Sequence, residues 1–106
     1  MNQIRQGDIL LEKVDVSIPN HANVTGEVVL AEGELTGHAH RLKAQTILEW
    51  EANGQRYIRI ESDEQGELSH EDHDPVPVKV VEPKTTYRIV PQKEWDLQGQ
   101  WRQVVD

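Results

Sequence analysis

The sequence TILEWEANGQRYIRI, residues 46–60, decides the fold class of this chain. Residues 46–50 and 56–60 are rich in β-branched, aliphatic and aromatic side chains, and Asn53-Gly54 lies between them. An Asn-Gly dipeptide between two β-prone segments is a strong short-range signal for a hairpin. This stretch therefore predicts two antiparallel strands joined by a tight turn.

The rest of the chain continues the same pattern in short segments. Further strands are predicted at residues 7–18, 26–32, 76–81, 85–90 and, as a last hairpin, 94–105. Gly, Pro and Asn separate these segments, and no window of about eleven residues or more has the apolar spacing of a helix. We therefore predict one all-β domain over residues 1–106, a small barrel or sandwich of about seven or eight short strands.

The composition is that of a small acidic protein with a thin core. Of 106 residues, 36% are hydrophobic, and 11 Lys and Arg against 19 Asp and Glu give a net charge of −8. Without a basic cluster, nucleic acid is excluded as a main partner. No segment approaches the roughly 20 apolar residues that span a bilayer, and the N-terminus lacks the apolar stretch of a signal peptide. The absence of Cys excludes disulfides, thiolate catalysis and iron–sulfur clusters. We therefore expect a soluble cytoplasmic protein with no membrane partner.

The first of two histidine clusters lies in GHAHRL, residues 37–42. Alternate residues of a strand point to the same face, so His38 and His40 would project side by side, followed by Leu42. If Leu42 faces the core, both imidazoles do so as well, and Arg41 faces outward. Two adjacent imidazoles on one strand can bind a single metal ion.

The second cluster lies in LSHEDHDP, residues 68–75, within an acidic stretch, residues 61–74, that is predicted to be a long loop. His70 and His73 have the i, i+3 spacing that shares a face in a helical turn. A Ser followed by Asp three residues later resembles a capping box. We therefore predict a single turn over residues 69–73 that presents both imidazoles to one point.

Together, the two pairs predict a multi-histidine site for one divalent transition metal. The expected ligands are His38, His40, His70 and His73. Imidazole suits Zn, Fe, Ni, Cu or Mn, and the sequence does not choose among them. With an open coordination position, the protein would be a metal-dependent enzyme acting on a small molecule, and Glu71 or Asp72 would be the nearest general base.

Other interpretations of the same residues stay open. In the first, the protein is a non-enzymatic binding or adaptor module in which the metal is structural or absent. In another, the histidines are simply solvated or act as a pH switch near their ordinary pKa of about 6.5. His21, alone in a loop, is expected to be a surface residue. We also expect a homo-oligomer, because residues 24–31 form a strand with little charge to protect an exposed edge.

Five segments carry a resemblance that extends over most of the chain: GDIL (7–10), GELTGHAHRL (33–42), LSHEDHDP (68–75), YRIVPQKEW (87–95) and QVVD (103–106). They are similar to a group of small uncharacterised bacterial proteins that have a G-H-A-H and an H-E-x-H pair in the same order. This resemblance supports the two histidine pairs as a unit and implies no reaction. The H-x-H on a strand of a small all-β domain also resembles half of the cupin metal motif.

Overall fold

A computed structural model describes residues 3–6, 9–32, 39–70 and 79–90, with the side chains of all but residues 31, 32, 39 and 70. Every regular element in these ranges is a β-strand, and the predicted all-β class and strand number are confirmed. The eight strands are β1 (Gln3–Gln6), β2 (Ile9–Lys13), β3 (Asn23–Glu32), β4 (Ala39–Ala52), β5 (Gln55–Ile60), β6 (Gly66–His70), β7 (Lys79–Val81) and β8 (Thr86–Val90). Among the described residues there is no helix long and apolar enough to cross a membrane.

The strands form one sheet that curves into a nearly closed barrel. The order is β1-β2-β8-β5-β4-β6-β7, and neighbouring strands are antiparallel. The two end strands, β1 and β7, approach each other. Strand β4 pairs with β5 and β6 along one edge and with β3 along the other. The long strand β4 is therefore the common partner of three others.

The β4–β5 hairpin has the turn that its sequence predicts. Ala52 pairs with Gln55, and the two residues between them, Asn53 and Gly54, have positive φ angles of 55° and 76°. Positive φ at both central positions is the type I′ geometry, which matches the twist of paired strands and favours Asn-Gly. The predicted turn at Asn53 and Gly54 is therefore confirmed.

The acidic stretch at residues 61–74 is not one long loop, which corrects the sequence-based prediction. The backbone N–H of Glu61 donates to the Thr46 carbonyl at 2.9 Å, and the Thr46 N–H donates to the Ser62 hydroxyl at 3.3 Å. The chain then returns to β4 as β6. The strand is easily missed in the sequence GELSH, because Leu68 is its only large apolar residue. Leu68 is fully buried.

Three smaller differences concern strand boundaries. Of the predicted segment at residues 7–18, residues 9–18 are described and form a strand only over β2, and β1, with the polar sequence QIRQ, was not predicted at all. Strand β4 is far longer than the predicted segment at residues 46–50. The predicted final hairpin at residues 94–105 lies outside the described residues.

The core is aliphatic, as the composition predicts, and lies inside the curved sheet. Inward and outward positions alternate along β2 and β5, as strand geometry requires, whereas the long strand β4 buries both Leu42 and Ile47. The buried cluster contains Ile9, Leu11, Val28, Leu30, Leu42, Ile47, Ile58, Ile60, Leu68, Val81, Tyr87 and Ile89. Leu42 and Leu68 are both 0% exposed and lie directly opposite each other on β4 and β6.

Strand β3 is the outer strand of the sheet in the described part of the chain. It pairs with β4 and has register shifts between Thr25 and Glu27 and between Val29 and Ala31. Arg56 donates to the carbonyls of Val29 and Leu30 beside the second shift. Val24 is 71% exposed, in the strand that the sequence marks as weakly protected. Self-association through this edge stays a prediction.

Replacing Gly66 by alanine is expected to destabilise the fold by about 1–3 kcal/mol, because the site has no room for a Cβ atom. An ideal Cβ would lie 2.5 Å from Cδ1 of Ile60 and 3.1 Å from the carbonyl oxygen of Lys43. Ile60 is fully buried, so its methyl group cannot move without displacing its neighbours. Urea unfolding measures the loss. Gly26→Ala is the matched control, since its Cβ would meet only the Ala44 carbonyl at an ordinary 3.5 Å. Equal losses in the two variants would contradict the steric explanation.

Candidate functional site

The candidate site is built around His40, near the beginning of β4. His40 is only 3% exposed and precedes the fully buried Leu42 by two positions, so both side chains lie on the inner face of the sheet. The predicted inward orientation of His40 is thereby confirmed. Between them, Arg41 faces outward, as predicted, and forms an ion pair there with Glu27 at 2.8 Å. The alternation of the strand therefore separates the histidine from this charged pair.

The pairing of β4 with β6 brings the two histidine clusters together in the backbone. His40 and His70 are direct register partners, two positions beyond the partners Leu42 and Leu68. Residues directly opposite each other in an antiparallel pair share a face of the sheet. Because Leu42 and Leu68 are core residues, this register places the backbone of residue 70 directly beside the buried His40.

This register corrects the prediction of a helical turn over residues 69–73. Ser69 and His70 are the last two residues of β6 and pair with Arg41 and His40. The pairing of β6 with β4 and the burial of Leu68 outweigh the local capping signal. His73 and the rest of the proposed turn lie outside the described residues.

A third side chain, Gln6, completes the arrangement and was not found by sequence reasoning. Gln6 ends β1 and is 1% exposed. Its Oε1 lies 3.0 Å from Nδ1 of His40, and its Nε2 donates to the carbonyl oxygen of Leu68 at 2.6 Å. The only sequence signal for it was the i, i+2 spacing of Ile4 and Gln6. On a strand this spacing puts Gln6 on the same face as the apolar Ile4.

The remaining residues of the predicted site are not all within the described part of the chain. His38, His73, Glu71 and Asp72 fall outside it. Within it, no group of three or more His, Cys, Asp or Glu side chains is arranged to hold a metal ion. His21 is exposed, and its Nε2 lies 3.1 Å from the Glu51 carbonyl oxygen, which agrees with its prediction as a surface residue.

A separate cavity of about 550 Å³ lies where β1 and β7 approach each other. Arg5, Lys79, Glu82 and Tyr87 contribute to its lining. Burial raises the pKa of the Tyr87 phenol, and the nearby Glu82 carboxylate adds to this increase, while a hydrogen bond from the Glu82 backbone opposes it. The cavity wall thus holds a phenol whose pKa is raised above its ordinary value.

Stability is expected to fall when the pH rises above about 10, and Tyr87 should account for part of this loss. Its pKa is raised in the folded state, so the folded protein retains a proton that the unfolded chain releases. This stabilising contribution is complete below the unfolded pKa and disappears as the pH passes through the folded one. Urea unfolding from about pH 8 to pH 11 measures the slope. Tyr87→Phe should have a shallower slope, and an identical slope would rule out this origin.

The family to which the chain is related has no assigned activity. The model of a domain of unknown function, DUF8820, matches residues 5–92. The chain belongs to this family. The DUF8820 match includes the positions of both histidine pairs. No curated protein matches this DUF8820 chain, and no solved structure matches it.

Proposed function

We propose that this DUF8820 domain binds a divalent transition metal. The central ligands are His40 and His70, and His38 and His73 complete the set. The observation that carries the proposal is the register of β4 and β6, which sets His40 and His70 directly opposite each other. The two clusters are about thirty residues apart in sequence, and only this strand pairing makes them neighbours.

The spacing of the two strands is suitable for bridging by one ion. Cβ atoms of directly opposite residues lie about 4.5–5.5 Å apart. Two imidazoles at that separation can turn their nitrogens toward a common ion at bonds of about 2.0–2.1 Å for zinc. His38 precedes His40 by two positions, the spacing that shares a face if β4 geometry extends to it. The cupin-like H-x-H spacing supports the same assignment.

The burial of His40 favours a metal that contributes to folding stability. An ion held between β4 and β6 would join two strands of a thin core, and its binding free energy would then add to that of folding. If the ion retains an open coordination position, Glu71 or Asp72, which lie between His70 and His73 in the sequence, would be the nearest candidate for a general base toward a bound water. The proposal of metal binding is common to both roles.

Metal analysis of untagged protein tests the proposal. After incubation with Zn²⁺ and removal of excess ion, we expect about one zinc per chain in the wild type, because four histidine ligands complete the coordination of one tetrahedral ion. His40→Ala and His70→Ala should lose it, and His38→Ala and His73→Ala should bind it more weakly. His21→Ala is the matched control and should retain full occupancy, because His21 lies at the surface.

Cobalt provides a second measurement that does not depend on the folding of any variant. Visible absorption of the wild type with Co²⁺ reports whether nitrogen ligands surround the ion. Circular dichroism of each variant separates loss of ligands from loss of fold. A wild type without bound zinc or cobalt, or full occupancy in folded His40→Ala and His70→Ala, would refute the proposal.

A further inference from the structure

Gln6 connects three strands through its side-chain amide. It lies at the end of β1, whose register with β2 ends at the pair Gln6 and Ile9. From there its side chain reaches His40 on β4 and the backbone of Leu68 on β6. A 1% exposed amide with partners on two other strands is a built feature of the interior, because a buried polar group without partners would be destabilising.

The partners of Gln6 determine which way its amide points. A backbone carbonyl can only accept a hydrogen bond, so the amide group that lies 2.6 Å from the Leu68 oxygen must be the NH₂. Oε1 is then the atom 3.0 Å from Nδ1 of His40. An amide oxygen can only accept, so Nδ1 of His40 must carry the proton. In a neutral imidazole the lone pair then resides on Nε2.

We propose that Gln6 is the positioning residue of the metal site, fixing His40 as the Nδ1–H tautomer with Nε2 as its metal-binding atom. This inference rests on the proposed function. Histidine ligands of metals commonly donate their second ring N–H to a carboxylate or carbonyl, which fixes the ring orientation and raises its basicity. Here the acceptor is the amide oxygen of Gln6, and the NH₂ of the same amide holds the group in place by donating to the Leu68 carbonyl.

The location of Gln6 adds a consequence for the fold. The acceptor that orients His40 is carried by β1, whereas the strands that bear His40 and His70 are β4 and β6. Metal binding through an oriented His40 therefore requires that β1 is docked against the other two strands. The site and the closure of the barrel are coupled through one side chain.

The tautomer can be measured without any metal. Long-range ¹H–¹⁵N correlation spectra of the metal-free wild type should show the His40 proton on Nδ1. In Gln6→Glu the carboxylate can still accept from Nδ1, so the tautomer should be retained. In Gln6→Leu, which has a similar size and no acceptor, the fixed tautomer should be lost. A proton on Nε2 of His40 in the neutral wild-type ring would overturn the inference.

Zinc affinity, measured by competition with a chromophoric chelator, tests the positioning role. Loss of such an outer partner weakens metal binding by about 10–100-fold, and we expect this for Gln6→Leu. Gln6→Glu should restore most of the affinity. Gln3→Leu is the matched control, since Gln3 is an exposed glutamine of the same strand.

Unchanged affinity in folded Gln6→Leu would overturn the role of Gln6 alone. If Gln6→Leu does not fold, zinc affinity that is about 10–100-fold weaker in Gln6→Glu despite a retained Nδ1–H tautomer would overturn it. Absence of zinc binding by the wild type would overturn the proposed function itself, and the tautomer measurement would still stand.

Discussion

Saturating Zn²⁺ is expected to raise the melting temperature of the untagged protein by about 10–20 °C. A ligand that binds only the folded state stabilises it by about 2.7 kcal/mol when its concentration is 100 times Kd. In a domain of roughly this length, each kcal/mol corresponds to about 4–8 °C. The effect is expected because the two proposed central ligands, His40 and His70, are on different strands, and only the folded sheet brings them together.

Scanning calorimetry with and without zinc measures this shift, and a chelator should reverse it. His40→Ala should lose the shift, since it removes a ligand, whereas His21→Ala should keep it. A melting temperature that zinc does not change in the wild type would contradict a site formed by the folded state. An equal shift in His40→Ala would place the bound ion elsewhere.

Leu68→Ala is expected to lower the free energy of unfolding by about 2–5 kcal/mol. Leu68 is fully buried and lies opposite Leu42, which is also fully buried, so truncation leaves a cavity in the centre of the core. The cost is large relative to the stability of small domains, which is typically about 5–15 kcal/mol. Urea unfolding monitored by tryptophan fluorescence and by circular dichroism measures it.

The preceding residue provides the control for this experiment. Glu67 is exposed on the outer face of β6, so Glu67→Ala should change stability by no more than about 0.5 kcal/mol. The backbone carbonyl of residue 68 is present in both variants and can still accept from Gln6. Equal effects of Leu68→Ala and Glu67→Ala would contradict the inward register of β6.

Sequence patterns predicted the strands whose signals are local. The Asn53-Gly54 turn requires positive φ at two adjacent residues, a demand that few dipeptides meet, and it was located correctly. Strands β1 and β6 were missed because each is short and mostly polar. What holds these two strands in the sheet is their pairing and contact with strands that are distant in sequence. A short stretch of sequence contains no information about such partners.

The candidate site shows the same division between local and distant information. Alternation along β4 sufficed to place His40 on the face of Leu42. The position of His70 opposite His40 depends on the register of two strands, and a shift of one residue would end this pairing. Gln6 is 34 residues from His40 in sequence, so no spacing rule could link them.

The order of the strands has a consequence for how the chain reaches this structure. The hairpins β3–β4 and β4–β5 join sequence neighbours and can form early, whereas β2 must wait for β8, which is the last described strand. Pairings between distant segments slow folding because the loop must be closed before the contacts form. We therefore expect slow refolding, in which β2 of the nascent chain has β1 beside it but lacks its second neighbour, β8, until synthesis has passed Val90.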